Sequence, residues 1–286
     1  MRKYIILAET GADIPSELTE RYGIYTVPMH VSFGEETKDD GSFPIDDVFD
    51  YYKKSGKLPR TSGCNVTDFD RIFDEIHEKH PSSRILYLAY SAGTTCSYQS
   101  AAISAQSRDY ITAFDTKQVS AGQCMVVILM ARFLEANPDA DLPAVLKKAE
   151  EYRDACHMGF FPGDLDYLRA GGRVSNIAYL GAKLLSLNPL IEIVDGQLLA
   201  TKKYRGTMDK AARKLFAEFI EKHALSRNIL YFAYSPGLSE KTRKDIENQA
   251  AALGFQEIRW IQTGSVVSTH SGPGAFGVCG ISQKQD

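Results

Sequence analysis

The chain lacks a charge excess of either sign: 33 Lys and Arg stand against 36 Asp and Glu, a formal net charge of −3 at pH 7. The basic residues are scattered among acidic ones rather than gathered in a stripe, so the electrostatic footprint of a nucleic-acid binder is missing. Long apolar runs are missing too. The segment from Met1 to Leu7 holds Arg2 and Lys3 and only a short apolar stretch before Glu9. It is too short for a signal-peptide core or a membrane span, and it reads as a first strand of a cytoplasmic protein without stable membrane insertion. Cysteine is sparse. Cys64, Cys96, Cys124, Cys156 and Cys279 are odd in number, widely separated and contain no CxxC. That gives no sign of a disulfide framework or a zinc knuckle and fits reduced thiols in the cytosol. Without a secretory signal, Asn65-Val66-Thr67 is a chance match to a glycosylation sequon.

Catalytic signatures are equally scarce. No GxGxxG follows the first strand, Gly56-Lys57 runs into Leu58 rather than completing a phosphate loop, and His77-Glu78-Lys79-His80 has the wrong spacing for a zincin helix. A G-x-S-x-G elbow is absent, which weakens a serine hydrolase reading. No catalytic residue, cofactor or metal ligand is therefore expected.

What is present is an α/β pattern. Over 286 residues, 44% hydrophobic and 24% charged, short β-branched and aromatic runs alternate with segments of helical period. Strands are predicted at Tyr4–Ala8, Ile85–Tyr90, Tyr110–Phe114, Met158–Phe161, Ile229–Tyr234, Glu257–Ile261 and Ala275–Gly280. Helices are predicted at Ile45–Lys54, Thr67–His80, Ser97–Gln106, Ser120–Ala136, Leu142–Cys156, Asn176–Leu187, Met208–Ala224 and Ser239–Leu253, with Asp141, Ser175, Thr207 and Ser239 as caps. Leu190–Val194 and Leu198–Lys203 form a hairpin about Asp195-Gly196, the dipeptide favoured in type I′ turns. The alternation implies βαβ units with buried parallel strands. A boundary near Cys156 divides the chain into a parallel-sheet lobe, 1–156, and a mixed α/β lobe, 157–286.

Small hydroxyl and glycine clusters stand at strand ends, where α/β proteins place ligands. Thr61-Ser62-Gly63 precedes one helix, and Ser91-Ala92-Gly93-Thr94-Thr95-Cys96-Ser97 follows a strand and opens another. Hydroxyls and free amides at a helix start suit an anion, and ordinary N-capping would produce the same pattern. Gly171-Gly172-Arg173-Val174-Ser175 precedes an apolar helix, and His270 adjoins a Gly-Pro-Gly turn that holds it on rigid backbone. His270 can offer a donor to a carboxylate or phosphate, and Arg205 a bidentate clamp, although a structural histidine and an exposed arginine are the default readings.

Taken in order, these pieces resemble the DegV family, whose members include the fatty-acid-binding subunits of bacterial fatty acid kinase. The resemblance spans Glu9-Thr10-Gly11-Ala12-Asp13-Ile14-Pro15, Thr61-Ser62, Ser91 to Ala101, Asp115-Thr116, Leu165 to Ser175, Leu187 to Ile191, Asp195-Gly196, Lys203 to Gly206, and His270 to Gly277. It implies a two-domain fold that buries one long-chain fatty acid and presents its carboxylate to a fatty acid kinase for acyl phosphate formation. On that analogy Thr61, Ser62 and the Ser91 loop bind the carboxylate, with Arg205 and His270 nearby and Arg173 facing the head group or the kinase. The family's Ser-Ser and Leu-Ser-Gly-Thr are here Ser91-Ala92 and Thr94-Thr95-Cys96-Ser97. One serine is lost, and if it is the one whose side chain binds the carboxylate, a backbone N–H near Ala92 or Gly93, or Thr95, takes its place. Ile177, Leu180, Leu184 and Leu187 would line the tail pocket, unless they are plain core. The alternative is an enzyme, an esterase with a Ser91 or Thr61 nucleophile and His270, or a phosphotransferase-like relative acting on a small carbonyl compound.

Overall fold

A computed structural model describes residues 2–176 and 187–283. The first lobe is built on a four-stranded parallel sheet in which β1 (Tyr4–Glu9) is flanked by β2 (Tyr25–Val27) and β6 (Arg84–Ala89), with β7 (Ile111–Asp115) beyond. Every residue of β1 is buried, as expected for a strand covered on both faces. Helix α1 (Ser16–Tyr22) links β1 to β2. Helix α3 (Val66–Lys79) buries Phe69, Ile72, Phe73 and Ile76, one helical face, and starts at a reciprocal cap between Asn65 and Asp68. The sequence places this start one residue late because it does not read Asn65 as the cap.

A second, three-stranded antiparallel sheet has no counterpart in the sequence reading. In it β3 (His30–Phe33) lies between β4 (Glu36–Asp39) and β5 (Arg60–Ser62), and α2 (Asp46–Ser55) connects β4 to β5. Its strands are three or four residues long, and β4 is largely exposed. Too few side chains alternate for a period to emerge.

The second lobe is a six-stranded mixed sheet. From one edge to the other run β10 (Gln197–Arg205), β9 (Leu187–Val194), β8 (Cys156–Phe161), β13 (Phe276–Ser282), β11 (Leu225–Tyr234) and β12 (Glu257–Gln262). The predicted hairpin is there, with Asp195 and Gly196 at φ 48° and 78°. Helices α8 (Met208–Lys222) and α9 (Glu240–Ala252) carry the parallel crossovers, with Ser239 capping α9 through the Thr242 amide. Thr207 stands at the start of α8 without a side-chain cap bond. The predicted helix Asn176–Leu187 lies mostly outside the described residues. Of its ends, Asn176 is in a turn and Leu187 opens β9, so Leu187 belongs to a strand.

Between the two sheets runs α5 (Ser120–Ala136), buried on almost every side, with α6 (Leu142–Ala155) beside it. One apolar cluster joins Ile6, Leu86 and Met125 with Met158, Ile191, Tyr231 and Cys279, so the core runs across the boundary expected at 156/157, which itself falls within β8. Among the described residues no helix is long and apolar enough to cross a membrane.

Candidate functional site

Residues from β5, from the six-stranded sheet and from the segments that follow the parallel strands converge on one cavity, about 780 Å³ with the open space at its mouth. The wall is mostly apolar. Met29 comes from the entry to β3, Val119 from the entry to α5, Met158 and Phe160 from β8, Leu198 from β10, and Phe276 from β13. All of these but the half-buried Phe160 are buried, so for most of them burial and cavity lining are one requirement.

The polar groups gather at one side. The antiparallel pairing of β3 with β5 sets Val31 opposite Thr61 and so fixes the threonine at the cavity wall. Facing it is α10 (Ser265–Ser271), a seven-residue helix whose last turn carries His270. Thr61 Oγ1 and His270 Nε2 lie 2.7 Å apart, in a hydrogen bond whose direction follows from the imidazole tautomer. His270 Nδ1 has no hydrogen-bond partner among the described residues. A β-carbon on Gly171 would overlap that nitrogen, so the glycine leaves room for the ring. Burial, with a smaller push from the Arg173 guanidinium, holds the imidazole at about 4, well below its ordinary range, so it is neutral at pH 7. Arg173 also lines the cavity, and its guanidinium donates to the Gly171 carbonyl at 2.7 Å. Thr95 Oγ1 stands 3.2 Å from Ser97 Oγ, and Thr94 Oγ1 donates to the Ser91 carbonyl at 3.0 Å.

The start of α10 is held by two buried carboxylates. Asp13 accepts from the Gly264 amide at 2.7 Å, and Asp40 from the amides of Ser265 and Val266 at 2.9 and 3.3 Å. Burial pushes both acids above their ordinary range. The helix bearing His270 is thus tied to the first lobe at both ends.

Of the residues singled out in the sequence, Thr61, Ser62, Thr95, Arg173 and His270 come together at this cavity. Three do not line it. Ser91 is fully buried and its hydroxyl donates to the Gly196 carbonyl at 2.7 Å. The Ala92 amide donates to Asp115 Oδ1 at 3.3 Å. Arg205 is the exposed last residue of β10, paired with Leu187, where the strand's alternation turns it away from the buried Tyr204. Sequence reasoning named Thr94 only within the Ser91 loop and missed Tyr90 and Ser120 in the wall, although both follow a parallel strand at the sheet edge where such folds bind ligands. It also placed His270 beside a turn and not on a helix, because seven residues give no helical period.

The DegV family profile, described as that of uncharacterised proteins, matches residues 3–283. Protein DegV of Bacillus subtilis is 24% identical over 275 residues, covering 96% of this chain and 97% of its own. Among solved structures, a DegV family protein from Thermus thermophilus described as binding fatty acid superposes with a TM-score of 0.88 at 26% identity, covering 99% of this chain and 100% of its own. A Thermotoga maritima protein whose structure is said to reveal fatty acid binding gives 0.83 at 25% identity, covering 98% and 100%. With a profile match along nearly the whole sequence and the same architecture throughout, the chain belongs to the DegV family.

Proposed function

We propose that this protein binds one long-chain fatty acid in the cavity between its sheets, with the tail along the apolar wall and the carboxylate beside Thr61, Thr95 and His270, and presents that carboxylate to a fatty acid kinase. The observation that carries the reading is the Thr61–His270 pair in the wall of a mostly apolar cavity. Burying a methylene contributes roughly 0.8 kcal/mol, so a sixteen-carbon tail supplies on the order of 12 kcal/mol before ordering and association costs. An unpaired buried carboxylate would cancel several kcal/mol of that gain, so donors at the head are required. The chain offers hydroxyls from Thr61 and Thr95, a neutral imidazole and the Arg173 charge. Acyl phosphate formation then belongs to a partner that brings ATP. The protein itself acts as a cytoplasmic lipid carrier and not as an enzyme.

The hydrolase alternative finds little support in the same geometry. The Ser91 hydroxyl is spent on Gly196, and His270 lacks an orienting acid on Nδ1 among the described residues. Native mass spectrometry of the purified protein, with solvent extraction and identification of what is released, tests the proposal. A stoichiometric fatty acid supports it, whereas protein that is empty and takes up no added palmitate refutes it. Phosphate transfer from ATP to the bound lipid in the presence of a fatty acid kinase tests the second half.

A further inference from the structure

The Ser91 hydroxyl points away from the cavity and into the turn between β9 and β10. It donates to the Gly196 carbonyl at 2.7 Å, and the serine is fully buried. Glycine stands on both sides of this contact. A β-carbon on Gly196 would lie 2.8 Å from Ser91 Oγ, and one on Gly93 would lie 2.7 Å from the Gly196 carbonyl and overlap Gln197 Nε2. Loop and turn therefore approach to a distance that side chains would forbid. Lys117 and Asp195 form an ion pair beside them.

From the turn, β10 carries the contact to the cavity. Leu198 lines the cavity, bridges Val174, and accepts from the Ser175 amide at 3.0 Å. Ser175 Oγ donates to Gln197 Oε1 at 3.1 Å, and Asn176 exchanges two hydrogen bonds with the Ala200 backbone, at 2.8 and 2.9 Å. Arg173, one residue before this zipper, stands at the cavity rim.

We propose that Ser91 is a positioning residue: by fastening the Asp195-Gly196 turn to the first lobe it fixes β10 and the Arg173 segment as one wall of the cavity, and so sets how long a bound fatty acid is retained, without touching the carboxylate. This rests on the fatty-acid reading. A residue that bound the carboxylate would discriminate acid from alcohol. A residue that positions the wall acts on both alike, because the wall meets the tail.

The test is the release rate of palmitate and of hexadecanol from the wild type, Ser91→Ala, Gly93→Ala and the double variant, with thermal midpoints recorded for each. Loss of one buried hydrogen bond should speed release of both lipids by about tenfold. Gly93→Ala, which wedges the same contact from the other side, should match it, and the double variant should add little more. Slower uptake or faster release of palmitate alone in Ser91→Ala would make Ser91 a carboxylate ligand and overturn the proposal. Unchanged rates in both single variants would overturn it as well. Should Ser91→Ala not fold, Gly93→Ala carries the same comparison. Wild-type protein that takes up neither lipid would overturn the fatty-acid reading and this one with it.

Discussion

Ser120 donates a hydrogen bond to Asp13 across 2.5 Å, and both residues stand in the left-handed region, at φ 45° and 53°. Through its other oxygen Asp13 accepts from the Gly264 amide. One buried side chain thus joins the turn that follows β1, the start of α5 and the start of α10. Asp13→Ala would leave an amide and a hydroxyl unpaired in the interior. It should lower stability by roughly 2–4 kcal/mol, measured by chemical denaturation. Asp13→Asn, which keeps an acceptor for the amide and offers a donor to Ser120, should lose less than half as much.

His270 gives a pH signature. Its folded value of about 4 lies below the 6.5 of the free imidazole, so between these values the unfolded chain binds the extra proton. Stability from this group is therefore complete above pH 6.5 and falls as the pH drops toward 4, by up to about 3 kcal/mol. The buried acids Glu9, Asp13 and Asp40, all pushed up by burial, act in the opposite sense over part of that range. The difference between wild type and His270→Asn isolates the histidine. That difference should shift in favour of the variant as pH falls from 7 to 4 in paired denaturation curves.

Gly171→Ala should act on binding more than on folding. The added methyl would overlap His270 Nδ1 and drive the ring from Thr61. Palmitate affinity, measured by calorimetry, should fall about tenfold or more, since a head-group hydrogen bond to a charged acceptor contributes ~1.5–3 kcal/mol. Thr61→Ala should show a similar loss, and the pair should combine less than additively.

Glu192 tests the second lobe apart from the cavity. Burial pushes its carboxyl up, but hydrogen bonds from His223, Lys222 and Thr201 outweigh this and hold it at about 2. Its stabilisation is present above the unfolded value of 4.5 and is lost as pH falls toward 2. Lys222 is largely exposed, so screening reduces the effect to about 1–2 kcal/mol. Glu192→Gln should flatten the acid limb of the stability profile between pH 4.5 and 2.

The long elements were legible because their burial is periodic or nearly total: β1, β6 and β11 as apolar runs, α3 as one face, and α5 as a helix buried over most of its length. The three-residue strand bearing Thr61 and the seven-residue helix bearing His270 were not, since neither is long enough to show a period. Thr61 and His270 could still be picked out by chemistry, as a hydroxyl and an imidazole among glycines. Chemistry alone misdirects at Ser91 and Arg205. The first satisfies a backbone carbonyl 105 residues away, a partner no local pattern announces. The second follows strand alternation outward at the edge of the sheet.

Helix α5 packs on β1 and β6 of one sheet and on β8, β11 and β13 of the other. A gene cut at 156/157 would therefore not release two self-sufficient modules. The first fragment would carry a helix with one apolar face uncovered, and the second a sheet with a bare face. Each made alone would aggregate, whereas co-expression would let them complement one another. Insertions should therefore be borne in loops away from α5 and not along the seam where it joins the two sheets.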